Sequence, residues 1–471
     1  NQQHNQQHNQ QHNQQHNHWH CRGQSGLTDM QRWVVVGAGS AGCVLGARLS
    51  QDPGSHVTVL DDGPSLLPGE VPAAIDGPNF LAALDEPGRT HNALLATRTS
   101  RQAPSAYQRG RGVGGSSAVN AMIAKTIDPA LCARWGWVDV DVDVAASRIQ
   151  IPSEFAAPHE LGLVDRALLA ACPTARSAQL TRRNGRRCTA AEAYLWPVAD
   201  RANLDVRPLS RVDRVLFDGN RAVGVRLTDG TETCADRVVV AAGAIHSPAI
   251  LLRSGVEVPG LGSNLQDHPS VALTLQYRAG LVAEQTGLCL GSLLEQRIGD
   301  DTIQLLPMNH LGSGAPGYGL LMVALMTPTG ASGTVAIDGA GDPVINFNLL
   351  DGQRDLDALV AGVRLALDVV RRQAFTEIIE EVYIDAVGTT AEALTDDAAI
   401  AAWIRGNVAD YVHATGTCGM GRVVDEHGAV AGYSDLYVCD ASVFPSIPDV
   451  NTHMPTTLLA ELLCLRGMMT R

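Results

Sequence analysis

Lysine is all but missing: Lys125 is the only one among 35 basic side chains, and arginine supplies the rest. That skew reads as the codon bias of a GC-rich genome. Acidic residues outnumber basic ones, 49 to 35, for a formal charge of −14. No basic stripe offsets this field, so no nucleic-acid partner is expected. Aromatic residues make up only 4%. No apolar run is long enough to cross a bilayer, so no integral membrane segment is expected. The chain is read as cytoplasmic, with peripheral attachment at a membrane left open. The ten cysteines form no CxxC pair, which points to reduced core thiols. Beyond the first twenty residues no HxH or HxxxH spacing occurs, so no metal site is expected.

What is present describes an enzyme-sized globular chain: 471 residues, 45% hydrophobic, with 47 glycines. Two domains are expected at this length. The first twenty residues repeat NQQH four times and end in HNHWH, the pattern of a metal-affinity tag. Residues 1–29 are therefore set aside as an expression tag without structure, with the native chain starting near Met30.

From Gln31 the sequence reads strand (RWVVV), tight glycine turn (GAGSAG), helix (CVLGARLSQD) and strand (HVTVLDDG), a βαβ unit. In the turn, Gly37 permits the reversal, Gly39 lets backbone approach a pyrophosphate, and Gly42 lets helix pack on strand. Asp61, nineteen residues after Gly42, is placed to accept from a ribose hydroxyl. The motif predicts dinucleotide binding and leaves FAD and NAD both open. A second glycine cluster, RGRGVGGSSAVN, and a third, RVVVAAGAIHSP with Ala242 and Gly243, favour a long, extended cofactor. Short alternating strands from Val271 to Phe347 and the amphipathic stretch DLDALVAGVRLALDVVRRQ predict an antiparallel sheet with a packing helix. The architecture is interleaved rather than two blocks in series.

Five segments in order, WVVVGAGSAGCVLGARLS, RGRGVGGSSAVNAMI, AAGAIHSPAILLRSG, GLGSNLQDHP, and HATGTCGMG followed by DLYVCDASVFPSIPDVNTHMPTTLLAE, resemble the glucose–methanol–choline (GMC) flavin oxidoreductases. The resemblance implies an α/β (α+β mixed) fold: a glutathione-reductase-like FAD-binding Rossmann domain with an inserted antiparallel-sheet substrate domain. The expected FAD domain comprises residues 30–126, 188–269 and 410–471, and the substrate domain 127–187 and 270–409. The match implies FAD contacts from Gly37, Gly39, Ser40, Gly42, Asp61, Gly112, Gly115, Ser116 and Asn120. Val212 falls where the family holds adenine by backbone bonds, and Asp440 and Ala441 occupy its DAS motif. Val119 stands where some members attach the flavin to a histidine, so non-covalent FAD is implied.

His413 and His453 match the family's two active-site positions, of which the first is His and the second His or Asn. Alcohol oxidation needs a base within hydrogen-bond reach of the hydroxyl, and an imidazole suits that task. His413 is expected as the main base, with His453 orienting the alcohol and sharing its proton, and the isoalloxazine is the implied hydride acceptor. His246 and His268 are expected in supporting roles. Two family segments are contracted, after Asn120 and within SGVEVPGLGSNLQDHP, which implies a trimmed cap. The compact, arginine-biased chain also resembles the actinobacterial, mycofactocin-associated members. Those imply a dehydrogenase oxidising a bulky, peptide-derived redox carrier and passing electrons towards respiration. A small-alcohol oxidase reducing dioxygen and a cyanohydrin lyase keeping FAD structurally remain the alternatives.

Overall fold

The computed structural model describes residues 30–467, apart from 313 and 331. The expected tag at residues 1–29 lies outside them. In chain order, the elements that build the site are β1 (Gln31–Val36), α1 (Ser40–Leu49), β2 (Ser55–Leu60), β3 (Leu204–Arg207), β4 (Arg237–Val240), α2 (Gly243–Arg253), β5 (Ser270–Tyr277) and β6 (Ser292–Ile298). They continue with β7 (Asp301–Met308), β8 (Tyr318–Leu325), α3 (Gln353–Val370), β9 (Ile379–Tyr383), β10 (Leu436–Val438) and α4 (His453–Leu465).

The valine-rich runs at β1, β2 and β4 are continuous rather than alternating because both sheet faces are covered. They form a parallel sheet in the order β3-β2-β1-β4-β10. Register aligns Val36 with Leu60 and Val240, and Val240 with Val438, so the carboxyl ends of four strands meet at one edge. Each chain segment leaving that edge carries a motif: Gly37, Asp61, Ala241 and Asp440. Helices α1 and α4 are clamped side by side by a buried bidentate pair, Arg48 Nε and Nη2 to Glu461 at 2.9 and 2.6 Å. Their amino ends therefore open together onto the same edge.

The second layer is antiparallel, in the order β9-β5-β8-β7-β6 with Arg176–Ser177 at its edge. Helix α3 buries Leu356, Leu359, Val360, Val363, Leu367 and Val370. It approaches closely at Gly362, where an added Cβ would lie 3.0 Å from Ile303 and 3.1 Å from Val323. The stretch from 127 to 151, weakly periodic in sequence, forms two short helices, Pro129–Arg134 and Asp139–Ser147. They pack into the core of the parallel sheet through Leu131 and Ala145, whereas the helix Leu163–Ala171 packs on the antiparallel sheet through Val164 and Leu168.

Cys43, Cys418, Cys439 and Cys464 are buried thiols, as the sequence implies. Among the described residues, no helix is long and apolar enough to cross a membrane.

Candidate active site

A deep cleft follows the carboxyl edge of the parallel sheet and ends against the antiparallel one. Gly37 adopts φ +104° and donates its amide to Leu60 O at 2.7 Å, and an added Cβ there would lie 2.5 Å from Ala241 O. A Cβ on Gly42 would sit 1.8 Å from Gly37 O, so only glycine lets α1 start where it does. Gly39 is different: an added Cβ would find only Gly115 Cα, at 4.0 Å, so its backbone faces open space. Gly115, at φ +50°, brings the second glycine loop against the first, with an added Cβ 2.7 Å from Gly39 Cα. Gly243, at φ +79°, is equally bare. The bare backbones at Gly39 and Gly243, with the α1 amino terminus between them, fit a cofactor diphosphate.

Asp61 Oδ2 accepts from Ala38 N at 2.7 Å and Oδ1 from Gly63 N at 3.0 Å, which aims the carboxylate along the cleft. Burial raises its pKa against the pull of those amides. Asp440 works from behind: Oδ2 accepts from Gly243 N at 2.8 Å and from Ser247 Oγ at 2.5 Å, shaping the third glycine turn. Ser116 Oγ accepts from Gly110 N, and Gly112, at φ +96°, seats the loop on Pro64. Asn120 Oδ1 accepts from Arg187 Nη1 at 2.8 Å. Gly112, Asn120, Val212, Ala242 and Ala441 all line the cleft, as does Val119, a side chain without a nitrogen for a covalent flavin bond.

His413 enters at the far end. Its amide donates to Asp267 Oδ2 at 2.9 Å, and its Nδ1 lies 2.8 Å from His268 Nδ1. His268 Nε2 lies 2.9 Å from Pro448 O, and a carbonyl only accepts, so His268 carries its proton on Nε2. Neutral His268 then accepts at Nδ1 from His413 Nδ1–H. The network thereby assigns His413 Nε2 as the unprotonated ring nitrogen. Asn451 Nδ2 lies 3.4 Å from that atom, and its Oδ1 is buried without a partner.

This arrangement differs from the expected histidine pair. His453 Nδ1 bonds Ser40 Oγ at 2.8 Å and its Nε2 has no partner among the described residues, so His453 joins the amino ends of α1 and α4 rather than His413. The side chain brought to His413 is Asn451. The signal was present: the second family position takes His or Asn, and NTH holds both, two residues apart.

Burial holds His413 well below the ordinary imidazole value, and pulls His268 and His453 down to about 4. All three are neutral at physiological pH. Since unfolded imidazole titrates near 6.5, the unfolded chain binds the extra proton first as pH falls. Stability is therefore full above about pH 6.5 and declines towards pH 4, by about 3 kcal/mol for His268 alone. Urea midpoints at pH 7 and pH 5 check this, with the lower midpoint at pH 5.

Val412, next to His413, holds φ +56°, a left-handed conformation that costs a β-branched residue about 1–3 kcal/mol. Arg109 Nη1 donates to its carbonyl and keeps it there. Asp267, His268 and His413 lie close enough to suggest a metal triad. Their facing imidazole nitrogens bond each other, however, and Asp267 is occupied by the amides of His268, Tyr411 and His413. His246 stacks with His91 at 4.4 Å between ring centroids, away from His413 in the same cleft. Burial pushes the Cys418 and Cys439 thiols well up, which leaves them inert.

The fold and cleft define a two-layer dinucleotide-binding oxidoreductase. Models of the GMC oxidoreductase amino- and carboxyl-terminal regions match residues 166–270 and 328–460. The chain is 30% identical to the 5-(hydroxymethyl)furfural oxidase of Methylovorus sp. (strain MP688), across 91% of this chain and 97% of that protein. It is 25% identical to the alcohol dehydrogenase [acceptor] of Pseudomonas putida, across 92% and 94%. Pyridoxine 4-oxidase from Mesorbium loti shares the fold, with a TM-score of 0.83 at 24% identity over 94% of this chain and 100% of that one. The chain belongs to the GMC oxidoreductases, FAD-binding enzymes that act on alcohols.

Proposed function

We propose that the protein oxidises an alcohol with His413 Nε2 as proton acceptor and Asn451 as the donor that holds the alcohol oxygen. The observation that carries this reading is the relay from Pro448 O through His268, which leaves His413 Nε2 unprotonated at the end of the cleft. When bound, FAD supplies the hydride acceptor. The alcohol hydroxyl gives its proton to His413 Nε2, and the neutral, desolvated imidazole is poised to take it. His453 acts through Ser40 on the cofactor side of the cleft. Gly37, Gly39, Gly42, Gly112, Gly115, Ser116, Asn120, Val212, Ala242 and Gly243 would hold FAD, with Asp61 on the ribose and Asp440 behind the turn.

His268 is a positioning residue in this account. His268→Leu should lower kcat about tenfold to a hundredfold and flatten the acidic limb of the pH profile while FAD stays bound. An unaltered profile in stopped-flow reduction would remove His268 from the account.

We further propose a cofactor domain of residues 30–126, 188–269 and 410–471 and a substrate domain of 127–187 and 270–409, with the two helices Pro129–Arg134 and Asp139–Ser147 packing back onto the cofactor domain. The electron acceptor is proposed to be other than dioxygen, a reading supported by the relative named a dehydrogenase rather than an oxidase. A bulky, peptide-derived carrier feeding respiration is a second reading of the donor, favoured by the half-buried Ala272, Thr274, Leu320 and Met322 on one face of the antiparallel sheet. A substrate panel read by anaerobic bleaching of the flavin, followed by air, separates these readings. Slow return of colour in air supports a dehydrogenase, and rapid return makes the protein an oxidase. Bleaching by none of the alcohols would leave the lyase reading in its place.

A further inference from the structure

The two faces of the antiparallel sheet are unequal. On β5 and β8, Leu273, Leu275, Leu321 and Val323 are fully buried beneath α3, whereas the alternate residues Ala272, Thr274, Leu320 and Met322 are only half-buried. Register joins the half-buried residues, with the buried Leu306, into one floor: Leu306 faces Met322, Met322 faces Ala272, and Thr274 faces both Leu320 and Tyr383. Leu306 and Met322 line the cofactor cleft. Met322 and Asp410 also line a second cavity of about 730 Å3, which runs over Ala272 and Thr274 to Tyr318, Tyr383 and Trp403. The two spaces thus adjoin at Met322 and Asp410, which line both.

We infer that this second cavity is a compartment of the substrate site that holds the uncharged aromatic body of an extended aryl alcohol, whose carbinol end reaches His413. The inference rests on the alcohol-oxidising reading and names its substrate class.

The lining chooses the occupant. In a chain with 4% aromatic residues, Tyr318, Tyr383 and Trp403 gather around this one cavity, above a floor that includes a methionine. Aromatic rings and thioether sulfur favour an aromatic guest. Tyr383 is braced by its hydroxyl to Gln276 Oε1 at 3.0 Å, and Trp403 by its indole N–H to Ile384 O at 2.8 Å, so the walls are preset. The charges present are already satisfied. Asp410 pairs with Arg98 Nε at 2.7 Å, and Asp385 Oδ1 accepts the amides of Val387 and Thr389 at 3.0 and 2.9 Å. No lysine or arginine lines the cavity, so a carboxylate- or phosphate-bearing body finds no counter-charge there.

The test compares a one-ring benzylic alcohol with its analogue carrying a second ring in the para position, using the FAD-loaded enzyme. The wild type should favour the two-ring alcohol by at least about tenfold in kcat/KM, mainly through KM. Thr274→Trp, which fills the floor, should cut that ratio about tenfold. Val387 is 90% exposed at the mouth, so Val387→Trp leaves folding undisturbed and should cut the ratio as well. A wild-type ratio near one, or a ratio unchanged in both variants, overturns the compartment while oxidation of the one-ring alcohol still upholds the functional reading. Failure of both alcohols to bleach the flavin overturns that reading, and the compartment with it.

Discussion

His413→Ala should lower the rate at which an alcohol bleaches the bound flavin by about a thousandfold, within the usual range for loss of a general base. The yellow colour of the purified protein should not change. The two outcomes separate because the chain around His413 is held by its backbone: the amides of His413, Tyr411 and His268 all donate to the buried carboxylate of Asp267. Deleting the imidazole leaves that anchor in place and removes only the lone pair at Nε2. Asn451 remains, but an amide has no basic nitrogen, so it cannot take over the proton. Stopped-flow reduction with and without the substitution measures the loss, and an unaltered rate would mean that the base lies elsewhere.

Gly115→Ala should reduce FAD affinity about a hundredfold or more while the chain still folds. The position combines two constraints. Its φ of +50° is disfavoured for residues with a side chain, and an added methyl would stand 2.7 Å from Gly39 Cα, inside the contact between the two glycine loops. Both loops must yield, and both face the cleft where the diphosphate belongs. The core of the parallel sheet lies behind them and does not depend on this contact. FAD titration followed by flavin fluorescence reads the affinity, and circular dichroism reports the fold. Retention of tightly bound FAD would show that the loops do not cradle the diphosphate.

Much of this was legible in the sequence because glycine carries its reasons in its position. Gly37 and Gly42 are forced by backbone oxygens within contact distance, and such constraints recur wherever the same turn is built. The antiparallel strands were equally clear from alternation, as was α3 from its apolar stripe. The helix Asp139–Ser147 was not, because DVDVDV alternates with a period of two and becomes helical only where tertiary packing overrides that pattern. The hydrogen-bond neighbour of His413 was not legible either. Motif matching favoured His453 for its chemistry, yet the turn of α4 directs that imidazole to Ser40, and the neighbouring asparagine meets His413 instead. The relay from Pro448 through His268 joins residues 180 positions apart and could not be read before folding.

The central claim is that a half-buried, neutral His413 takes the hydroxyl proton as the carbinol carbon loses hydride. Anaerobic stopped-flow bleaching of the flavin by a benzylic alcohol and its α-dideuterated form, across pH 4 to 9, tests it directly. A large slowing by deuterium, with the acidic limb of reduction below pH 6.5 and lost in His413→Ala, is the predicted result. Bleaching that is insensitive to deuterium, or an acidic limb that survives in His413→Ala, would contradict it.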